Sequence, residues 1–195
     1  MKEQVAIILL AAGTSTRMRA AVQTVKYRGK PLLRHAAETA LASGCRPVVV
    51  VLGASEDEVC RTLDSLEVEI VINERWADGM GSSIRTGLRA LEGRLVSGVI
   101  LGLADQPLIT AEILMELVAR HVESGKTIVA SRYSGTVGVP VFFARRRFRM
   151  LAALKPSQGC KSLILANAWD AEFVECPEAS ADIGTPTDYA SQSAR

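Results

Sequence analysis

Three short stretches of this 195-residue sequence carry the residue types needed to hold a polyphosphate and a divalent cation. The first is Leu10-Ala11-Ala12-Gly13-Thr14-Ser15-Thr16-Arg17-Met18, a small-residue turn that follows an apolar run. Ala11, Ala12 and Gly13 lack bulk, so a ligand can approach the backbone and their N–H groups can cradle phosphate oxygens. No acidic residue separates Glu3 from Glu38, yet Arg17, Arg19, Lys26, Arg28, Lys30 and Arg34 all fall in that window. Arginine offers forked contacts to phosphate and lysine a point charge, although a solvated basic face would look the same. The second stretch, Gly79-Met80-Gly81-Ser82-Ser83, opens a helical pattern through Ile84, Leu88 and Leu91. Its hydroxyls either cap that helix or hold a ribose or base. The third is Ala104-Asp105-Gln106-Pro107, directly after another apolar run. A lone aspartate beside phosphates suits Mg2+, which takes one or two carboxylates plus phosphate oxygens and waters; an Asp before Gln-Pro also forms turns. Two familiar phosphate loops do not fit. Met18 stands where a P-loop needs its second glycine, and Thr14-Ser15-Thr16 supplies none for a dinucleotide fingerprint.

The elements that must position these stretches alternate in type. Val5 to Leu10, Val48 to Leu52, Ile70 to Ile72 and Gly98 to Leu103 are apolar runs without polar alternation. Such runs fit strands covered on both faces, as in a mostly parallel sheet. Between them lie helical patterns: Pro31 to Ser43 before Gly44, a capping-box opening at Ser55-Glu56-Asp57-Glu58, and Thr110 to Ser124 before Gly125. Thr127 to Ala130 and Val137 to Phe143 read as further strands, and Pro140 predicts that the latter lies at a sheet edge. Gly159 to Asn167 reads as a short helix and Ala171 to Val174 as a late strand. The rhythm predicts one α/β domain spanning residues 1–195, with ligands bound beyond the carboxyl ends of its strands.

Composition narrows the classes further. With 48% hydrophobic and 23% charged residues the chain can build a core without staples, and 23 basic against 21 acidic residues leave a net charge of +2. That balance argues against a nucleic-acid or membrane-surface protein. The longest apolar run, Val5 to Ala12, has eight residues, far short of the roughly 20 of a membrane span. Cys45, Cys60, Cys160 and Cys176 show no C-x-x-C spacing and read as reduced thiols of a cytoplasmic protein.

Taken in order, Leu10 to Met18, Tyr27-Arg28-Gly29-Lys30-Pro31-Leu32-Leu33, Gly79 to Ser83 and Ala104 to Pro107 resemble the MobA-like nucleotidyltransferases, and within them the molybdenum cofactor cytidylyltransferase branch. The resemblance runs from Ile7 to Tyr189. It implies a Rossmann-like three-layer αβα sandwich of the nucleotide-diphospho-sugar transferase type, with a mostly parallel mixed sheet. It further implies transfer of CMP from CTP to molybdopterin or a similar phosphorylated acceptor, with release of pyrophosphate. A molybdenum enzyme or its chaperone would be the protein partner. The roles carried over place Leu10, Ala11, Ala12 and Gly13 around the nucleotide and Arg17 on the triphosphate. Gly79, Ser82 and Ser83 approach base and ribose, and Asp105 binds Mg2+.

The sequence departs from that pattern at several positions. Val22 stands where relatives carry a phosphate-contacting lysine, with Lys26 four residues on as its substitute. Gly138-Val139-Pro140 replaces Gly-His-Pro, and Pro156-Ser157-Gln158-Gly159 replaces Gly-Asp-x-Gly. Gly184 takes the place of the second aspartate of Asp-x-Asp-Thr-Pro, leaving Asp182 as the second candidate metal ligand. Two alternatives therefore stay open: a nucleotide- or pterin-binding relative without catalysis, and a nucleotidyltransferase with another phosphorylated acceptor. Elsewhere, Arg145-Arg146-Arg147 with Arg149 reads as a solvated basic face. His121 reads as a packed histidine, His35 as a residue at or behind the basic window, and Trp76 as either a pocket cover or packing.

Overall fold

The computed structural model describes residues 4–13, 24–53 and 56–183. In chain order they form β1 (Gln4–Ala11), the hairpin β2 (Lys26–Tyr27) and β3 (Lys30–Pro31), α1 (Leu32–Ala42), β4 (Val48–Leu52), α2 (Glu56–Arg61) and β5 (Glu69–Ile72). There follow α3 (Met80–Ala90), β6 (Val96–Leu103), α4 (Ala111–Ser124), β7 (Ile128–Tyr133), β8 (Thr136–Ala144), α5 (Phe148–Ala152), α6 (Lys161–Ala166) and β9 (Ala171–Glu175). The runs in β1, β4 and β6 are strands with both faces covered, whereas β5, expected to be the same, is an edge strand that leaves Ile70 and Ile72 exposed. In β1 the even-numbered Ala6, Ile8 and Leu10 enter a core with Ile84 and Leu88 of α3, Leu151 of α5 and Ile164 of α6. The odd-numbered Val5, Ile7 and Leu9 enter a second core with Leu33 and Ala37 of α1 and Leu114 and Leu117 of α4. Helices on both sides of one sheet give the three-layer αβα sandwich.

Seven strands lie in the order β5-β4-β1-β6-β8-β7-β9. The first four are parallel, β8 runs against both its neighbours, and β9 is parallel to β7. Six of the seven strands therefore end at the same edge. The chain moves outward from β1 to β4 and β5, then crosses to β6, so the order reverses between β1 and β6. That reversal opens a crevice beyond the strand ends. Leu10 pairs with Leu103 there, and the N–H of Ala104 donates to the Leu10 carbonyl at 3.4 Å. The turns after β1 and β6 are thus brought side by side.

Pro140 does not mark an edge. β8 lies inside the sheet, and the edges are β5 and β9. The pairing of β7 with β8 jumps from Ala130↔Val141 to Ser131↔Gly138, so Val139 and Pro140 fall in a bulge. Pairing of β8 with β6 stops at Leu101↔Val141. The N–H that proline lacks is needed on neither side, and the Pro140 carbonyl accepts from Ser131 Oγ at 2.7 Å.

Arg145, Arg146 and Arg149 are exposed, as a solvated face requires, and Arg147 is the exception. Arg147 is mostly buried: Nε donates to Thr127 Oγ1 at 2.7 Å, Nη2 to Asp170 Oδ2 at 2.5 Å and Nη1 to Asn167 Oδ1 at 3.2 Å. Arg145 donates to the Arg94 and Val96 carbonyls. These side chains fasten the turn after β8 to the starts of β7 and β6. His121 packs as expected, its ring 4.4 Å from that of Phe142 and its Nδ1 2.6 Å from the Lys126 carbonyl.

Candidate functional site

Four segments border the sheet edge at which the turns after β1 and β6 meet, opposite the cavity lined by Gln4, Arg46, Glu69 and Arg94 at the other edge. The first is the end of β1, where Leu10, Ala11 and Ala12 are buried while Gly13 is exposed. Among the described residues nothing stands within 4 Å of the position that a Cβ would take at Gly13.

The second wall is the start of α3 with the segment before it. Gly79 adopts φ 115°, a left-handed conformation, and a Cβ there would lie 2.8 Å from the Pro156 carbonyl oxygen. The Gly81 N–H donates to that same carbonyl at 2.9 Å. The two glycines thus seat residues 155–158 directly on the helix start. The hydroxyls of Ser82 and Ser83 turn inward. Both accept from Nδ2 of buried Asn73, at 2.8 and 2.9 Å, and Ser82 Oγ donates to the Gly79 carbonyl at 2.7 Å. Asn73 escaped the reading of the sequence: it follows β5, a half-exposed edge strand, and only the fold sets its amide against the serine pair. Trp76 packs over the end of β4, so close to Gly53 that a Cβ there would lie 2.6 Å from the indole.

The third wall carries the carboxylates. Asp105 is partly buried just past β6, and its Oδ1 is sealed from solvent with no hydrogen-bond partner among the described residues. Burial, and next the nearby charge of Asp182, push its carboxyl up to about 6. A carboxylate left so uncompensated is suited to a cation. Asp182 is itself exposed and arrives from the far end of the chain: the Ile183 N–H donates to the Asp105 carbonyl at 2.9 Å, and buried Ile183 packs with Tyr27 and Leu32. Gln106 secures the same joint, its Nε2 donating to the carbonyls of Ala179 at 2.8 Å and Val139 at 3.3 Å. Among the described residues no group of three or more His, Cys, Asp or Glu gathers as a metal cage. A pair of oxygen ligands fits a hard cation such as Mg2+ or Mn2+, which completes its shell with water and phosphate.

The fourth wall is the β7–β8 hairpin, contributing Tyr133 and Thr136 at the shared edge. Lys26 is exposed on β2. His35 braces that side: Nε2 lies 3.0 Å from the Pro107 carbonyl and the ring meets Tyr27 edge-on at 5.5 Å. Arg17 and Val22, like Gly184, lie outside the described residues. The structure therefore brings together the Leu10–Gly13 turn, the start of α3, Asp105 and Asp182.

Residues 7–171 match the MobA-like NTP transferase domain. The chain belongs to that family. This MobA-like domain is 30% identical over 182 residues to nicotine blue oxidoreductase of Paenarthrobacter nicotinovorans, an alignment covering 89% of this chain and 87% of that protein. Among solved structures it is similar to an Rv0371c homolog from Mycobacterium sp. strain JC1, with TM-score 0.82, 29% identity and coverage of 97% and 95% of the two chains. It is also similar to Rv0371c of Mycobacterium tuberculosis in complex with manganese, with TM-score 0.77, 26% identity and 97% coverage of both. The fold and family are those of a nucleotidyltransferase. No helix among the described residues is long and apolar enough to cross a membrane.

Proposed function

We propose that this MobA-like domain transfers CMP from CTP to the phosphate of molybdopterin or a similar phosphorylated acceptor, with Mg2+ as the working cation. The observation that carries this reading is the buried Oδ1 of Asp105, without a partner among the described residues, beside Asp182 and across the strand switch from the end of β1. In this reading Leu10, Ala11, Ala12 and Gly13 line the triphosphate, and Arg17 and Lys26 neutralise it from the basic window. Gly79, Ser82 and Ser83 shape the nucleotide wall through their backbone, since Asn73 holds the serine hydroxyls inward. Asp105 and Asp182 would hold the cation, which supplies charge stabilisation at the α-phosphate and the departing pyrophosphate. An acceptor phosphate oxygen forms the new bond to the α-phosphorus. The bond to the bridging oxygen breaks, and its electron pair leaves with pyrophosphate. The protein's part is positioning and electrostatics.

Pyrophosphate release on mixing protein, CTP, MgCl2 and molybdopterin tests the reading. Turnover with CTP and an acceptor supports it, and none above background from folded protein refutes it. A second reading, a nucleotide-binding relative without transfer, is favoured by Val22 and Gly184 and by the oxidoreductase name of the 30%-identical relative. Thermal shifts with CTP, GTP and NADPH, each with and without Mg2+, separate the two, because a bound ligand raises stability as RT ln(1+[L]/Kd) whether or not it reacts.

A further inference from the structure

Three buried side-chain atoms lack a hydrogen-bond partner among the described residues: Asp105 Oδ1, Gln106 Oε1 and Thr136 Oγ1. All three belong to the ligand edge of the sheet. Asp105 and Gln106 follow β6, and Thr136 begins β8, which runs the opposite way. Orphaned buried polar atoms in a native fold call for an explanation, and a ligand, an ion or water at this edge would supply one.

Thr136 does not act alone. It pairs with Tyr133 across the β7–β8 hairpin, so the two side chains share a face. The Tyr133 ring then leans over Gly138: a Cβ at position 138 would lie 2.5 Å from the phenol oxygen. The glycine is what lets the hydroxyl reach inward. Gln106, next to Asp105, donates from Nε2 to the Val139 carbonyl of β8 at 3.3 Å, which ties the turn after β6 to this hairpin. The electrostatics agree with that placement, for burial and then the neighbouring Cys160, Asp182, Cys176 and Asp105 all raise the half-buried phenol.

We propose that Tyr133 and Thr136 form the acceptor subsite and that their hydroxyls bind the uncharged, hydrogen-bonding body of the acceptor while its phosphate faces the α-phosphorus. This rests on the nucleotidyltransferase reading above and specifies where its second substrate sits. The chemistry selects a neutral group. The charged side chains that bear on the phenol are acidic, and Arg132, the nearest base in sequence, is turned to the Phe173 ring at 4.6 Å and to Glu175 at 3.2 Å. Two hydroxyls both donate and accept, as the edge of a pterin or a sugar requires, and the Tyr133 ring adds a flat apolar face. This hairpin also carries Val139 in place of the family's histidine, so the polar contact on the acceptor side comes from Tyr133.

Binding, measured without turnover, tests the subsite. Wild type, Tyr133→Phe, Thr136→Val and Gly138→Ala are loaded with Mn2+ and titrated with a pterin phosphate, a sugar 1-phosphate and inorganic phosphate. CTP with Mn2+ is followed in parallel by thermal shift, and far-UV circular dichroism confirms folding. Tyr133→Phe and Thr136→Val each weaken the organic acceptor about threefold to tenfold, as expected for one lost hydrogen bond. Gly138→Ala does the same by displacing the phenol. The affinities for inorganic phosphate and CTP stay at the wild-type value. Unchanged acceptor binding in both hydroxyl variants overturns the proposal. So does an equal loss for inorganic phosphate, which would mean a contact to the anion. A wild-type protein that binds CTP but neither organic acceptor also overturns the subsite while leaving the nucleotide site standing. Acceptor binding without any CTP shift instead removes the transferase reading and keeps the subsite.

Discussion

Asp105→Asn should make the metal-free protein more stable at neutral pH while abolishing its response to cations. The Asp105 carboxyl is pushed from an ordinary 3.8 up to about 6, by burial first and Asp182 second. At 1.36 kcal/mol per pH unit the folded state then carries a penalty of about 3 kcal/mol once the group is ionised. The direction with pH follows. A carboxyl whose value is raised on folding costs nothing below 3.8, costs progressively more as pH climbs toward 6, and costs the full amount above it. An asparagine amide resembles the protonated carboxyl in size and polarity and carries no such penalty. Urea unfolding in EDTA should therefore give equal stabilities for wild type and Asp105→Asn at pH 3.5. At pH 7.5 the variant should lead by up to about 3 kcal/mol. Millimolar Mn2+ with CTP should raise the wild type and leave the variant where it was, since the cation favours the ionised carboxylate. A stability gap that stays flat from pH 4 to 7.5, or a variant less stable than wild type at pH 7.5, would refute the reasoning.

Other perturbations read other parts of the site. Gln106→Leu removes the amide that donates to the Ala179 and Val139 carbonyls, so the turn bearing Asp182 loosens; Mn2+ affinity by electron paramagnetic resonance should fall about tenfold, near the low end for lost support of a metal ligand, and an unchanged affinity counts against that role. Gly79→Ala forces a Cβ into a left-handed residue 2.8 Å from the Pro156 carbonyl oxygen. It should cost about 2 kcal/mol of stability by thermal unfolding; a loss under about 0.5 kcal/mol, the scatter of neutral substitutions, shows that the loop at 155–158 yields freely. Arg147→Met leaves Asp170 in a buried setting without its ion partner and should cost about 3 kcal/mol in urea unfolding. A neutral result would mean that Arg146, 3.7 Å away, takes over.

The sandwich was legible because runs such as Val5 to Leu10 serve two cores at once, and only a sheet covered on both faces makes that stable. The helix of α4 was legible down to its ends, with the Thr110 hydroxyl accepting from the Ile113 N–H and Gly125 left-handed at the stop. Pro140 misled because a proline in a strand is excluded by its missing N–H only where the ladder calls for one, and a bulge is a tertiary fact. Within the otherwise exposed basic run Arg147 escaped for a similar reason: its partner Asp170 is 23 residues away, beyond any local pattern. At the site, the residues flanking β1 and β6 announced themselves by type. Asn73 and Tyr133 did not, since each gains meaning only from what folding sets beside it.

The bond from the Ile183 N–H to the Asp105 carbonyl ties the backbone beside one candidate carboxylate to the backbone of the other. Asp105 follows β6 and Asp182 lies beyond β9, so a chain ending before residue 182 keeps the β1–β6 switch and lacks the second carboxylate.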